Sequence, residues 1–208
     1  MMNEKLDLLF QHCPVIPVAV IRSLDEVTPM LTALQKGGVT AVEITFRTSC
    51  APDAIALASK QFPAMTVGAG TILNRAQAEE AIQAGAAFLV SPGLSLDVAA
   101  LCAEKNIPYL PGCVTPTEIM QAISLGLSVV KFFPADVYGG LSAIKALSAP
   151  FGSIRFMPTG GVDFSNLKAF LACNAVAAVG GSFILKGDIS ENCRKLSEIL
   201  AERKEDTK

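Results

Sequence analysis

The sequence predicts an α/β protein, a single (β/α)8 TIM barrel with a short N-terminal helix. Three observations carry that prediction. Short apolar runs of strand length recur eight times along the 208 residues, as a barrel of eight units requires. Amphipathic stretches bounded by helix-start and helix-stop residues separate them. No linker or low-complexity stretch interrupts the alternation, so one domain spans residues 1–208. A doubly wound open sheet is the alternative architecture. It loses ground because no GxGxxG follows the first strand and because eight units close more naturally than they stay open.

The elements follow in order. A short amphipathic helix over 3–11 precedes a strand over 15–21. A helical pattern over 24–36 stops at Gly37. The second strand, 41–47, alternates Val42, Ile44 and Phe46 with Glu43, Thr45 and Arg47. In a barrel the apolar set faces the helices and the polar set faces the axis, with Arg47 nearest the C-terminal mouth. The other reading of that alternation is a half-exposed strand with a polar solvent face. The third strand, 65–71, ends in Val67-Gly68-Ala69-Gly70-Thr71. Asn74, Ser95 and Thr115 open helices over 74–84, 96–105 and 115–124, and Gly85 and Gly126 follow the first and last of these. Strands over 88–91 and 109–112 lie between them. The last three strands are 128–133, 154–159 and 175–179. The tail after Leu200 is polar and is expected to fray.

Composition narrows the function. The chain is 51% hydrophobic and 17% charged, with a net charge of -2. So little charge hints that some apolar surface is covered by self-association. No basic block is present, which argues against a nucleic-acid partner. No segment is long and apolar enough to span a membrane, and the first residues lack a signal-peptide apolar run. The six cysteines form no CxxC pair and read as reduced, packed thiols of a cytoplasmic protein. No metal-binding cluster is visible.

Lys131 sits in the apolar run Ser128-Val129-Val130-Lys131-Phe132-Phe133-Pro134. A lysine there reaches water at the strand end, pairs with an acid, or lies in a site that uses its amine. Burial disfavours the charged form of a lysine, and a neutral amine attacks ketones to form a Schiff base. Val129, Lys131 and Phe133 share one face of the sixth strand, which a barrel sets across from the second. Glu43 and Lys131 could therefore meet in the interior, as a catalytic pair or as a structural ion pair. Glycines also end the seventh and eighth strands, in Thr159-Gly160-Gly161-Val162 and Val179-Gly180-Gly181-Ser182. Each could be a tight turn alone. Placed after the last two strands, they suit a phosphate site. Asp163 or Ser165 is the expected helix start behind Gly160-Gly161.

Taken in order, Val42-Glu43-Ile44-Thr45-Phe46-Arg47-Thr48, Val67-Gly68-Ala69-Gly70-Thr71, Ser91-Pro92-Gly93, Pro111-Gly112-Cys113-Val114-Thr115-Pro116-Thr117-Glu118, Val130-Lys131-Phe132-Phe133-Pro134 and Pro158-Thr159-Gly160-Gly161-Val162 resemble the 2-keto-3-deoxy-6-phosphogluconate (KDPG) and 4-hydroxy-2-oxoglutarate (KHG) aldolase family. The resemblance runs from about Val15 to Phe183. It implies a class I aldolase on a (β/α)8 barrel, a homotrimer needing no metal or other cofactor, acting on a small keto acid that is often phosphorylated. By resemblance Lys131 is the Schiff-base lysine and Glu43 the general acid/base. Arg47 and Thr71 hold the substrate carboxylate and nearby oxygens. Pro92, Phe133 and Thr159 line the pocket. Gly160, Gly161, Gly181 and Ser182 bind phosphate. The Arg47 segment resembles the phosphogluconate type of the family rather than the galactonate-specific type. A phosphosugar isomerase, epimerase or synthase on the same barrel would share the phosphate turns without needing the lysine. A non-catalytic barrel would need none of Lys131, Glu43 and Arg47.

Overall fold

The computed structural model describes residues 2–205. Helix α1 (Met2–His12) leads into strand β1 (Val15–Ala19). A 3-10 turn at Leu24–Glu26 then precedes α2 (Val27–Lys36). The expected helix over 24–36 is thus split, and Pro29 falls in the first turn of α2, where its missing N–H costs nothing. Strand β2 (Ala41–Thr45), α3 (Ala51–Gln61), β3 (Thr66–Gly70) and α4 (Arg75–Gln83) follow. Next come β4 (Leu89–Val90), α5 (Leu96–Lys105), β5 (Tyr109–Leu110), α6 (Pro116–Ser124), β6 (Val129–Phe132) and α7 (Gly140–Ser148). Strand β7 (Arg155–Pro158), α8 (Leu167–Leu171), β8 (Val179–Gly181) and α9 (Ile189–Glu205) complete the chain.

This is an α/β fold in which every strand pairing is parallel. One sheet runs β5-β4-β3-β2-β1-β8, and β6 pairs with β7. A single bridge between Gly112 and Lys131 links β5 to β6, while bridges from Phe156 to Val176 and from Thr159 to Gly180 link β7 to β8. Helices cover the outside, and one contiguous apolar cluster runs through the molecule.

The three expected helix starts all cap their helices. Asn74, Ser95 and Thr115 each accept from the backbone N–H three residues on. Thr115 and Glu118 form a reciprocal capping box, which satisfies donors that a helix N-terminus leaves unpaired. Gly85 and Gly126 follow helices at φ +99 and +75, backbone that L-residues rarely adopt.

Three expectations shift. The eighth strand is at Val179–Gly181 rather than 175–179, with Val176 contributing only a bridge. Gly180 and Gly181 pair with Ile16 and Pro17, so glycines that read as a turn extend the strand. The helix expected from Asp163 or Ser165 begins at Leu167 and is five residues long. The Asp163 carboxylate instead closes a local turn, accepting from the Ser165 N–H and hydroxyl at 2.8 and 2.5 Å. A helix this short lends no dipole to the turn ahead of it. The tail is helical to Glu205, held by the pairs Glu191–Lys195, Arg194–Glu198 and Lys168–Glu202 at 2.8, 2.7 and 3.2 Å.

Candidate active site

Strand β2 is buried on both faces, which rules out a polar solvent face. Val42 and Ile44 pack in the core, and Glu43 and Thr45 are fully buried beside them. Thr45 disposes of its hydroxyl by donating to the Ala19 carbonyl at 3.0 Å. Glu43 has no such local acceptor or donor. Its Oε1 lies 3.4 Å from the Lys131 Nζ, and its Oε2 has no hydrogen-bond partner. Gly70 of β3 makes this position possible. A Cβ there would collide with the Glu43 carboxylate itself.

Lys131 is held from both sides. Its N–H donates to the Pro111 carbonyl at 2.8 Å, and its carbonyl accepts from the Cys113 N–H at 2.9 Å. The side chain is 5% exposed, so it does not reach water at the strand end. Its Nζ stands 5.1 Å from the centre of the Phe133 ring, within cation–π range. A buried lysine and carboxylate with one oxygen unpartnered is expensive as pure structure. The hydroxyl of Thr159, also buried and unpartnered, is a second open polar group.

Phe133 and Thr159 line a cavity of about 310 Å³, together with Arg47, Gly160, Gly161, Gly181 and Ser182. Seven of the expected site residues thus meet at one mouth. Lys131 and Glu43 are not part of that lining; they adjoin it through Phe133. Thr71 joins through Arg47, whose Nε donates to its Oγ1 at 3.1 Å. Pro92 does not line this cavity. Its carbonyl crowds Gly112, beside the bridge that links β5 to β6.

The backbone here is shaped for its task. Thr71 sits at φ +57, a left-handed conformation that is a true outlier for a β-branched residue. Such strain concentrates where function over-determines geometry. Gly160 and Gly161 stand at φ +91 and +70. Among the described residues no protein acceptor takes their N–H groups. Free N–H groups on a left-handed turn form an anion cup.

The cavity also holds residues assigned no binding role from the sequence: Val18, Val20, Val162, Phe183, Asp163, which was expected only as a helix start, and Lys186. The last two carry charge. The hydroxyl and N–H of Ser165, with Lys186 nearby, hold the Asp163 carboxyl below its ordinary value. Burial pushes the thiol of Cys113, next to the bridged glycine, up to about 12. Among the described residues no group of three or more His, Cys, Asp or Glu side chains is arranged to hold a metal ion. No helix among them is long and apolar enough to cross a membrane.

Known proteins carry the same frame. The chain is 43% identical over 178 residues to the KHG/KDPG aldolase of Escherichia coli (strain K12), covering 86% of this chain and 84% of that one. The crystal structure of the 2-keto-3-deoxy-6-phosphogluconate aldolase of Zymomonas mobilis ZM4 with 3-phosphoglycerate superposes with a TM-score of 0.88 at 35% identity, covering 96% of this chain and 95% of that one. The KDPG aldolase from Legionella pneumophila, with pyruvate captured as a covalent carbinolamine intermediate, gives 0.85 at 35% identity, covering 93% and 95%. The family described as KDPG and KHG aldolase matches residues 6–199, and this chain belongs to it.

Proposed function

We propose that this protein is a class I aldolase that cleaves 2-keto-3-deoxy-6-phosphogluconate to pyruvate and glyceraldehyde 3-phosphate. It would also cleave 4-hydroxy-2-oxoglutarate to pyruvate and glyoxylate. One observation carries the reading: a buried amine 3.4 Å from a buried carboxylate whose other oxygen is unpartnered.

The chemistry assigns each group a role. The neutral Lys131 amine attacks the C2 ketone to give a carbinolamine, and loss of water leaves an iminium. Glu43 takes the C4 hydroxyl proton. The C3–C4 bond breaks, its electrons move into the iminium as an enamine, and the aldehyde leaves. Glu43 returns a proton to C3, and water hydrolyses the iminium to release pyruvate and the free lysine. One carboxyl that takes and returns a proton is general acid/base catalysis. Arg47, steadied on Thr71, grips the C1 carboxylate and fixes the ketone against the amine. Phe133 and Thr159 shape the pocket, and Pro92 packs at Gly112 beside the Lys131 strand. Gly160, Gly161, Gly181 and Ser182 bind the phosphate, whose binding energy is remote from the reacting carbons. The cycle uses no metal and no organic cofactor.

The run of pairings from β1 round to β8, closed through the three bridges, supports a closed (β/α)8 barrel formed by one domain. Apolar side chains stand out on consecutive units: Leu73 is 59% exposed, Leu96 52%, Met120 62% and Val137 74%. They support a homotrimer, the state the family resemblance implies. Six free thiols suit the cytoplasm. A lactate-dehydrogenase-coupled assay with both keto acids, run with and without a chelator, tests the activity. Pyruvate release from the phosphorylated substrate in both conditions is expected, and no release from either substrate overturns the reading.

A further inference from the structure

Three charged side chains line the cavity: Arg47, Asp163 and Lys186. Arg47 is committed to the β3 side by its hydrogen bond to Thr71. At the glycine turns the lining charges are those of Asp163 and Lys186, and the Asp136 carboxylate lies against Gly161 behind them. Asp163 is pinned by its two bonds from Ser165. It presents a fixed negative charge to the place where a phosphate would arrive.

Lys186 is placed differently. It follows the 3-10 turn Phe183–Leu185 that leaves β8. Its main chain is clamped by Asn192, a side chain only 9% exposed. The Asn192 Nδ2 donates to the Ile184 carbonyl at 3.0 Å and to the Lys186 carbonyl at 2.6 Å. The Lys186 head group is exposed and makes no hydrogen bond or ion pair among the described residues. Lys186 also borders a second cavity of about 380 Å³, where Arg22 and Glu26 are the other charged groups. The root of this lysine is fixed, and its cation acts on Asp163 only through space.

We infer that Lys186 sets the preference of this site for a phosphorylated keto acid over a dicarboxylate one. The inference rests on the aldolase reading for its substrates. A phosphate monoester carries about -1.5 to -2 at neutral pH, against -1 for a carboxylate. Without Lys186 the phosphate end holds only the carboxylates of Asp163 and Asp136 and repels the dianion. With Lys186 a cation offsets part of that repulsion, and its ammonium donates a charge-assisted hydrogen bond to the phosphate alongside the backbone N–H groups of the cup. The second carboxylate of 4-hydroxy-2-oxoglutarate is attached directly to C4. It stops two atoms short of the phosphate position, so Lys186 reads it weakly.

The test compares kcat/KM on the two substrates and titrates inorganic phosphate by calorimetry. In Lys186→Met the ratio of phosphorylated to dicarboxylate kcat/KM should fall about tenfold, the low end for a hydrogen bond to a charged group. The loss should lie in KM, and phosphate affinity should weaken about as much. Lys186→Arg should restore most of the ratio, and Asp163→Asn should raise it. Equal losses on both substrates, or phosphate affinity unchanged in Lys186→Met, overturn the inference. A wild-type protein that cleaves neither substrate sinks the aldolase reading instead, and the phosphate titration still decides the role of Lys186.

Discussion

Glu43 and Lys131 are 88 positions apart in the chain, and their meeting rests on a residue with no side chain. Gly70 leaves the space that the Glu43 carboxylate fills. Gly70→Ala should displace that carboxylate and lower kcat at least tenfold, with a stability loss of about 1–3 kcal/mol from overpacking. Circular dichroism should show an intact fold, and turnover near the wild-type value would mean that the carboxylate position does not matter. Glu43→Gln should slow turnover by about 10²–10⁴-fold, the usual worth of a general acid/base, while still forming an imine with pyruvate. A variant with near-normal turnover would remove Glu43 from the mechanism. Both residues were legible because a period-two strand leaves each of them only one face to point to. The left-handed Thr71 was not legible. Its conformation is set by what surrounds it, and threonine is among the last residues that local preference would put there. Lys186 was missed for a related reason, and Asp163 was marked only as a helix start. Sharing a cavity is a fact of tertiary structure, and Lys186 looks like an ordinary surface charge in the sequence.

At the scale of elements, the readable parts were those that local chemistry decides. Asn74, Ser95 and Thr115 declare helix starts because a short polar side chain can reach the N–H three residues on. Helices α3, α7 and α8 declare themselves less. The first is rich in alanine, the second starts at paired glycines, and the third has five residues, too few to show a period. Strand β8 was misplaced because glycines carry no face to read. The α6 cap gives a quantitative check. Burial alone would raise the Glu118 carboxyl, but the Val114 and Thr115 N–H groups and the Thr115 hydroxyl outweigh it and hold it below its ordinary 4.5. A depressed carboxyl stabilises the fold fully above its unfolded value and loses that contribution as pH falls through the folded one. Urea unfolding at neutral pH should show Thr115→Ala less stable by about 1 kcal/mol. The gap between wild type and Glu118→Gln should narrow as pH falls below 4.5. A gap that widens in acid would contradict the assigned cap.

Across the whole molecule, the low charge fraction and the exposed Leu73, Leu96, Met120 and Val137, in the segments that follow β3 through β6, call for a covered surface. Sedimentation equilibrium should give about three times the 21.8 kDa chain mass. A monomer would leave those side chains unexplained, although every site residue named above belongs to one chain. The α/β architecture with parallel strands was legible from the alternation of units, which is a global pattern that no single boundary error disturbs. Burial pushes the thiols of Cys102 and Cys113 up to about 12. Both should resist iodoacetamide at mildly alkaline pH until the fold is opened by denaturant. Rapid labelling of either in the native protein would contradict the packing around α5 and β5.

The central claim is that Lys131 forms an imine with the keto acid. Borohydride reduction in the presence of pyruvate, followed by peptide mass mapping, tests it most directly. One carboxyethyl group on the peptide containing Lys131, lost in Lys131→Met, is the expected result. Modification of Lys145 or Lys186 instead, or no modification of the wild-type protein, would contradict it.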